Sequence, residues 1–146
     1  MFLKDLVYKT SLNSVVGNIN SVSVSEIQFD SRKVKKGDLF VAINGTLVDG
    51  HEYINKAIEN GAQSIILETF PKDIKDGICY VKVENSSEAL SVIASNYYNN
   101  PSEKIKLIGV TGTNGKTTIV NLLFQLFSNL GFKVGMLSTI ENKIGD

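Results

Sequence analysis

A chain of 146 residues, 42% of them hydrophobic and 21% charged, has room for one core, or for one small domain and part of another. Its 15 lysines and arginines balance its 15 aspartates and glutamates, which argues against a nucleic-acid partner and against a basic membrane-surface patch. No apolar run approaches the roughly 18–20 residues that span a bilayer, and Lys4 and Asp5 interrupt what would be a signal peptide's apolar core, so the expected location is the cytoplasm.

In chain order, Phe2, Leu3, Leu6 and Val7 share a helical face and predict a short opening helix. Alternation through Val22, Val24, Ile27 and Phe29 is short-strand material, and Asp38 to Ile43 is the first fully apolar strand. Asp49 reads as a helix cap with Glu52 at capping-box spacing, and Ile54, Ala57 and Ile58 form the face of the helix it opens. Gly61 stops that helix. Residues 64–67 and 78–83 are further strands, and Asn85 caps a helix whose apolar face is Ala89, Leu90, Ile93, Ala94 and Tyr97. Asn99-Asn100-Pro101-Ser102 is the best linker in the chain and divides it into 1–100 and 101–146. Beyond it come a strand at 105–110, a Gly/Thr loop, a helix at 117–130 and a strand at 133–137. That helix is expected to bury Ile119, Leu122, Leu123, Leu126, Phe127 and Leu130. Alternating strands and helices imply an α/β fold with a mostly parallel sheet. The second segment alone cannot cover both faces of such a sheet, so the chain is expected to be a piece of a longer one.

Cys79 is the only cysteine, which leaves no intramolecular disulfide, and its strand context suggests a buried structural thiol. His51 is the only histidine. Nothing in the sequence marks a partner for it, so it reads as structural or solvent-facing rather than as a general base.

The strongest motif is Gly109-Val110-Thr111-Gly112-Thr113-Asn114-Gly115-Lys116-Thr117-Thr118. Glycines let a backbone turn aim its N–H groups at phosphate oxygens, and the helix that follows adds positive dipole. Lys116 is placed to reach the β- and γ-phosphates of a nucleotide, and the Thr117 hydroxyl to ligate Mg²⁺. The loop departs from the general G-x-x-x-x-G-K-[ST] pattern, with Val110 where a glycine is expected and glycines at 109, 112 and 115.

This variant loop, Val110 to Thr118, resembles the ATP loop of the Mur ligases, the ATP-dependent amino-acid ligases of peptidoglycan synthesis. Two further blocks, Asp30-Ser31-Arg32 through Gly37-Asp38-Leu39-Phe40-Val41-Ala42 and Gly45-Thr46-Leu47-Val48-Asp49-Gly50-His51-Glu52-Tyr53-Ile54, resemble the family's N-terminal UDP-substrate domain. The resemblance implies a small α/β domain that binds a UDP-sugar peptide over 1–100, followed by the first βαβ unit of a parallel-sheet ATPase domain over 101–146. Thr113 in the loop looks like the third ligase of the series. The fourth, which adds D-Ala-D-Ala, more often has serine there. Such an enzyme would join a diamino acid, meso-diaminopimelate or L-lysine, to UDP-MurNAc-L-Ala-D-Glu through an acyl phosphate. Its cofactors would be ATP and Mg²⁺, it would have no nucleic-acid or membrane partner, and it is expected to be monomeric. Carried over by position, Gly112, Thr113, Asn114, Gly115, Lys116, Thr117 and Thr118 would hold ATP, with Lys116 catalytic and Thr117 on the metal. Ser31, with Phe29 beside the uracil, and Thr46, Leu47 and Val48 would contact the UDP substrate. Read without the resemblance, the Ser31 hydroxyl could equally be an ordinary turn cap. The chain by itself is expected to be catalytically inert. The alternatives are a non-catalytic uridine-nucleotide module and the fourth ligase.

Overall fold

The computed structural model describes residues 1–45 and 48–145. The elements run α1 (Leu3–Leu6), β1 (Leu12–Val16), β2 (Ile27–Gln28), β3 (Leu39–Val41), α2 (Ile54–Glu59), β4 (Ser64–Leu67), β5 (Cys79–Val83), α3 (Ser86–Tyr97), α4 (Lys116–Asn129), β6 (Gly135–Leu137) and β7 (Asn142–Ile144). They fall into two compact units, Met1–Ile105 and Lys106–Asp146.

In the first unit the strand order is β1-β5-β4-β3-β2, with β2, β3, β4 and β5 parallel and β1 antiparallel on β5. The sheet is mixed and dominated by parallel pairing. β3 and β4 are buried along their whole length and β5 everywhere but Lys82, which is why these strands read as apolar runs rather than as alternating patterns. Side chains still alternate between the two faces. Leu39, Val41, Ile66, Val81 and Val83 point to the side covered by Leu3 and Leu6 of α1 and by Ala89 and Ile93 of α3. Phe40, Ile65, Leu67 and Tyr80 point to the other side, covered by Ile54 and Ala57 of α2. Cys79 is buried in the first of these cores, and burial pushes its thiol pKa up, as an inert structural cysteine requires.

Local signals act where the sequence puts them. Asn85 accepts a hydrogen bond from the Glu88 N–H at 3.0 Å and starts α3. Gly61 ends α2 at φ +112°, and an added Cβ would lie 2.7 Å from the Lys36 Cα, so only glycine fits there. Tyr97 packs against the core and its hydroxyl donates to the Ser25 carbonyl at 2.8 Å. The capping box at Asp49 is half realised. The carboxylate accepts from the His51 N–H rather than the Glu52 N–H, because the chain first makes a 3₁₀ turn over Gly50–Tyr53 before α2 begins.

In the second unit α4 packs on β6, which pairs antiparallel with β7. Two expectations fail here. Residues 105–110 are not a strand, and Leu107 is 77% exposed. A buried parallel strand needs neighbours on both sides, and the described strands of this unit bond only to each other. The expected apolar stripe of α4 is also uncovered. Ile119, Leu122, Leu126 and Leu130 are exposed and only Leu123 and Phe127 are half-buried. Among the described residues no helix is long and apolar enough to cross a membrane.

Candidate functional site

The carboxyl ends of β2 and β3 open onto a cleft of about 520 Å³ bordered by Phe29, Ser31, Arg32, Ile43, Val48 and Tyr53. Its floor is set by the turn after β2. Asp30 caps a 3₁₀ turn over Ser31–Lys33, accepting from the Arg32 N–H at 3.1 Å and from the Arg32 guanidinium at 2.9 and 2.8 Å. The guanidinium, with the Arg32 N–H, holds the Asp30 carboxyl down at about 2. Asn60 donates to the Ser31 carbonyl at 2.7 Å, tying the turn to the end of α2. The buried Asp38 carboxylate accepts from the Lys35 N–H at 2.9 Å and the Glu26 N–H at 3.2 Å, bracing the far side of the same turn.

Of the residues assigned to the UDP substrate, Phe29, Ser31 and Val48 come together on this cleft. Phe29 is 65% exposed, an apolar ring left in the open, and Ser31 is buried in the turn. Thr46 and Leu47 lie outside the described residues. Arg32 and Tyr53 also line the cleft. Both belong to the blocks that resemble the UDP-substrate domain, but the sequence assigns neither to the substrate; the place of Tyr53 depends on the 3₁₀ turn ahead of α2.

His51 does have partners. Its Nδ1 lies 2.6 Å from the Asp49 carboxylate, and its Nε2 accepts the Glu68 N–H at 2.8 Å. That acceptor assigns the proton to Nδ1. The expectation of an unpaired histidine fails on both nitrogens: Asp49 is two residues away, and Glu68, 17 residues away in sequence, is brought alongside by β4.

In the second unit, Gly112 (φ +143°) and Gly115 (φ +78°) take backbone conformations open to glycine, and Gly115 leads straight into α4. No side chain caps that helix, so its first-turn N–H groups are available to an anion. Lys116 is exposed, and its ammonium donates to the Gly112 and Thr113 carbonyls of its own loop. Thr113, Asn114 and Thr118 are exposed on the same turn, and the Thr117 carbonyl accepts from Asn121 at 3.0 Å. Open donors, a free helix N-terminus and a lysine held only by carbonyls suit a phosphate chain. Among the described residues no cluster of His, Cys, Asp and Glu could hold a metal ion.

Comparison with known proteins bears on the family of the chain. The Mur ligase family, catalytic domain, matches residues 23–98. The UDP-N-acetylmuramoyl-L-alanyl-D-glutamate–2,6-diaminopimelate ligase of Cytophaga hutchinsonii is 52% identical over 147 aligned residues, covering 100% of this chain and 30% of that protein. The MurF ligase of Thermotoga maritima in complex with ADP is 35% identical over 71% of this chain and 23% of its own, with a TM-score of 0.53. MurF from Acinetobacter baumannii is 27% identical over 88% of this chain and 27% of its own, with a TM-score of 0.65. The chain spans about 30% of the length of the curated relatives it matches. With the family model matched over half of its residues and a relative 52% identical along its whole length, the chain belongs to the Mur ligase family.

Proposed function

We propose that this chain supplies the UDP-substrate cleft and the ATP loop of a cytoplasmic, monomeric ligase that joins a diamino acid to UDP-MurNAc-L-Ala-D-Glu. The observation that carries the reading is the pairing, in one chain, of the Asp30-Ser31-Arg32 turn on the cleft with the Gly112–Thr118 loop on the helix. The relatives' printed names favour 2,6-diaminopimelate over L-lysine as the amino acid.

The roles follow from the chemistry of each side chain. Phe29 offers a flat apolar face to the uracil, with Val48 and, by position, Thr46 and Leu47 beside the nucleotide. Ser31 gives its hydroxyl to the substrate from a turn fixed by Asp30, Asp38 and Asn60. The N–H groups of Gly112, Thr113, Asn114, Gly115 and Thr118 would surround the ATP phosphates, Lys116 would neutralise charge on the transferring phosphoryl group, and Thr117 would ligate Mg²⁺. ATP supplies the phosphoryl group that makes a substrate carboxylate reactive toward an amine.

Two titrations test the reading on the chain itself. UDP-MurNAc-L-Ala-D-Glu and Mg-ATP, added separately in a calorimeter, are each expected to bind. Lys116→Ala should weaken ATP by roughly 10- to 150-fold, the scale of one charge-assisted contact of about 1.5–3 kcal/mol, and leave the UDP ligand unaffected. Ser31→Ala should do the reverse. Absence of binding by either ligand sinks the corresponding site. The chain alone is expected to release no ADP when given both ligands and the diamino acid, and turnover would overturn that part.

A further inference from the structure

Ile43, Gly45, Val48 and Gly50 border the cleft, and both ends of the stretch they belong to lead to one residue outside it, Glu68. At its start, the Asn44 N–H donates to the Ser86 hydroxyl at 3.3 Å. That hydroxyl donates in turn to the Glu68 carboxylate at 2.7 Å, and the Ser86 N–H donates to the same oxygen at 2.8 Å. At its end, Asp49 is held through its carboxylate by the N–H and the Nδ1–H of His51, at 2.9 and 2.6 Å. His51 accepts the Glu68 N–H on Nε2 at 2.8 Å. One residue at the carboxyl end of β4 therefore grips the start of the stretch through its side chain and the end through its backbone.

The described parts of the stretch, 43–45 and 48–50, are also tied to each other. Asn44 and Asp49 form an isolated antiparallel bridge, the Gly45 N–H donates to the Val48 carbonyl at 3.2 Å, and the Gly50 N–H donates to the Ile43 carbonyl at 2.8 Å. A Cβ at Gly50 would lie 2.7 Å from the Ile43 nitrogen, so the two ends meet in backbone contact. The polar links are well made for such an anchor. Ser86 is fully buried and the His51 side chain is 15% exposed. The Ser86 N–H and hydroxyl and the Asn44 side chain all favour the charged form of Glu68, and its pKa is lowered.

We propose that Glu68 and His51 are positioning residues for the uridine-nucleotide cleft. They stand outside the cleft and act by holding the wall segments 43–45 and 48–50 in the shape that binds. The inference rests on the reading of this cleft as a UDP site and adds to it two residues that lie outside the cleft. Ordering the wall in advance removes an entropic cost from binding, so the anchor should appear as affinity.

The test uses the whole chain and UDP-MurNAc-L-Ala-D-Glu as the probe. His51→Ala and Glu68→Ala should each weaken its binding about tenfold and leave Mg-ATP affinity unchanged. His51→Gln, which can still accept the Glu68 N–H, should recover most of the loss, and recovery of that kind would not accompany general destabilisation. Without any ligand, amide hydrogen exchange at Gly45 and Gly50 should quicken about tenfold in both alanine variants, while Ile65 and Val81 in the sheet stay protected. Wild-type affinity and wild-type exchange in the variants would overturn the proposal, as would faster exchange spread evenly through the sheet. If the wild-type chain fails to bind the probe, the UDP reading falls and takes the ligand half of the proposal with it. The exchange data would still decide whether Glu68 and His51 anchor the wall.

Discussion

Asp30 and Arg32 hold one another in the turn that borders the cleft, and the pair shows how much a close contact can shift a proton without carrying much stability. The Asp30 carboxyl sits at about 2 because the Arg32 guanidinium and N–H both favour its charged form. A folded-state value below the ordinary 3.8 means that any stabilisation is complete above about 3.8 and is lost as pH falls through about 2. The Arg32 side chain is 85% exposed, so water and salt screen the pair. Arg32→Ala is therefore expected to raise the Asp30 pKa part of the way toward 3.8, read by carbon-detected NMR titration, and to leave the melting temperature unchanged near pH 7. A large drop in melting temperature would mean that Arg32 supports the turn by packing. Glu68 follows the same sign with a different consequence. Its pKa is lowered, so its grip on Ser86 is complete above the ordinary glutamate value and is lost as pH falls through the lowered one. Of these two residues, only Asp30 has its partner within local reach, since Arg32 is two residues away. Glu68 was not legible in the sequence, because its partners, Ser86 and His51, are 18 and 17 residues away and meet it only once β4 is in the sheet.

Elements were read well where local chemistry decides them and badly where neighbours do. Asn85, Gly61 and the apolar runs of β3, β4 and β5 act within a few residues, and each element appears where they put it. The antiparallel setting of β1 carried no signal, since all five of its residues are exposed on an edge. The run at 105–110 had the composition of a buried strand, and composition alone cannot supply the neighbouring backbone that a strand bonds to. Two glycines separate backbone conformation from crowding in a way that can be measured. At Gly61 (φ +112°) a Cβ would strike the Lys36 backbone at 2.7 and 2.9 Å, whereas at Gly77 (φ +79°) it would meet nothing within 4 Å. Gly77→Ala should cost about 1–2 kcal/mol, the price of a left-handed alanine. Gly61→Ala should cost more, because α2 and the 31–38 turn must also part, and urea denaturation of the two variants gives the ordering. Equal costs would show that the turn yields freely.

At the scale of the whole molecule, the two units differ in what holds them. Among the described residues, all the buried hydrophobic ones except Met136 belong to Met1–Ile105, and both core clusters are drawn wholly from it. The first unit thus has its own two-sided sheet core, and the cleft lined by Phe29, Ser31 and Val48 is built from its residues alone. The second unit buries little, and Ile119, Leu122, Leu126 and Leu130 remain exposed along α4. A chain of residues 1–105 is therefore expected to unfold cooperatively in urea, with a midpoint close to that of the same transition in the full chain. It should bind UDP-MurNAc-L-Ala-D-Glu with unchanged affinity and lose Mg-ATP entirely. Ile93→Ala, which opens a cavity in the core under α3, should lower that midpoint by about 2–5 kcal/mol of stability in both lengths of chain alike. Leu126→Ala, on the exposed face of α4, should leave it unmoved. A 1–105 chain that lacked a cooperative transition, or a Leu126→Ala variant that destabilised the first unit, would show that the second unit contributes to the core of the first. Retained UDP affinity in the short chain would instead assign the nucleotide cleft to the first unit alone, and leave the glycine loop to ATP.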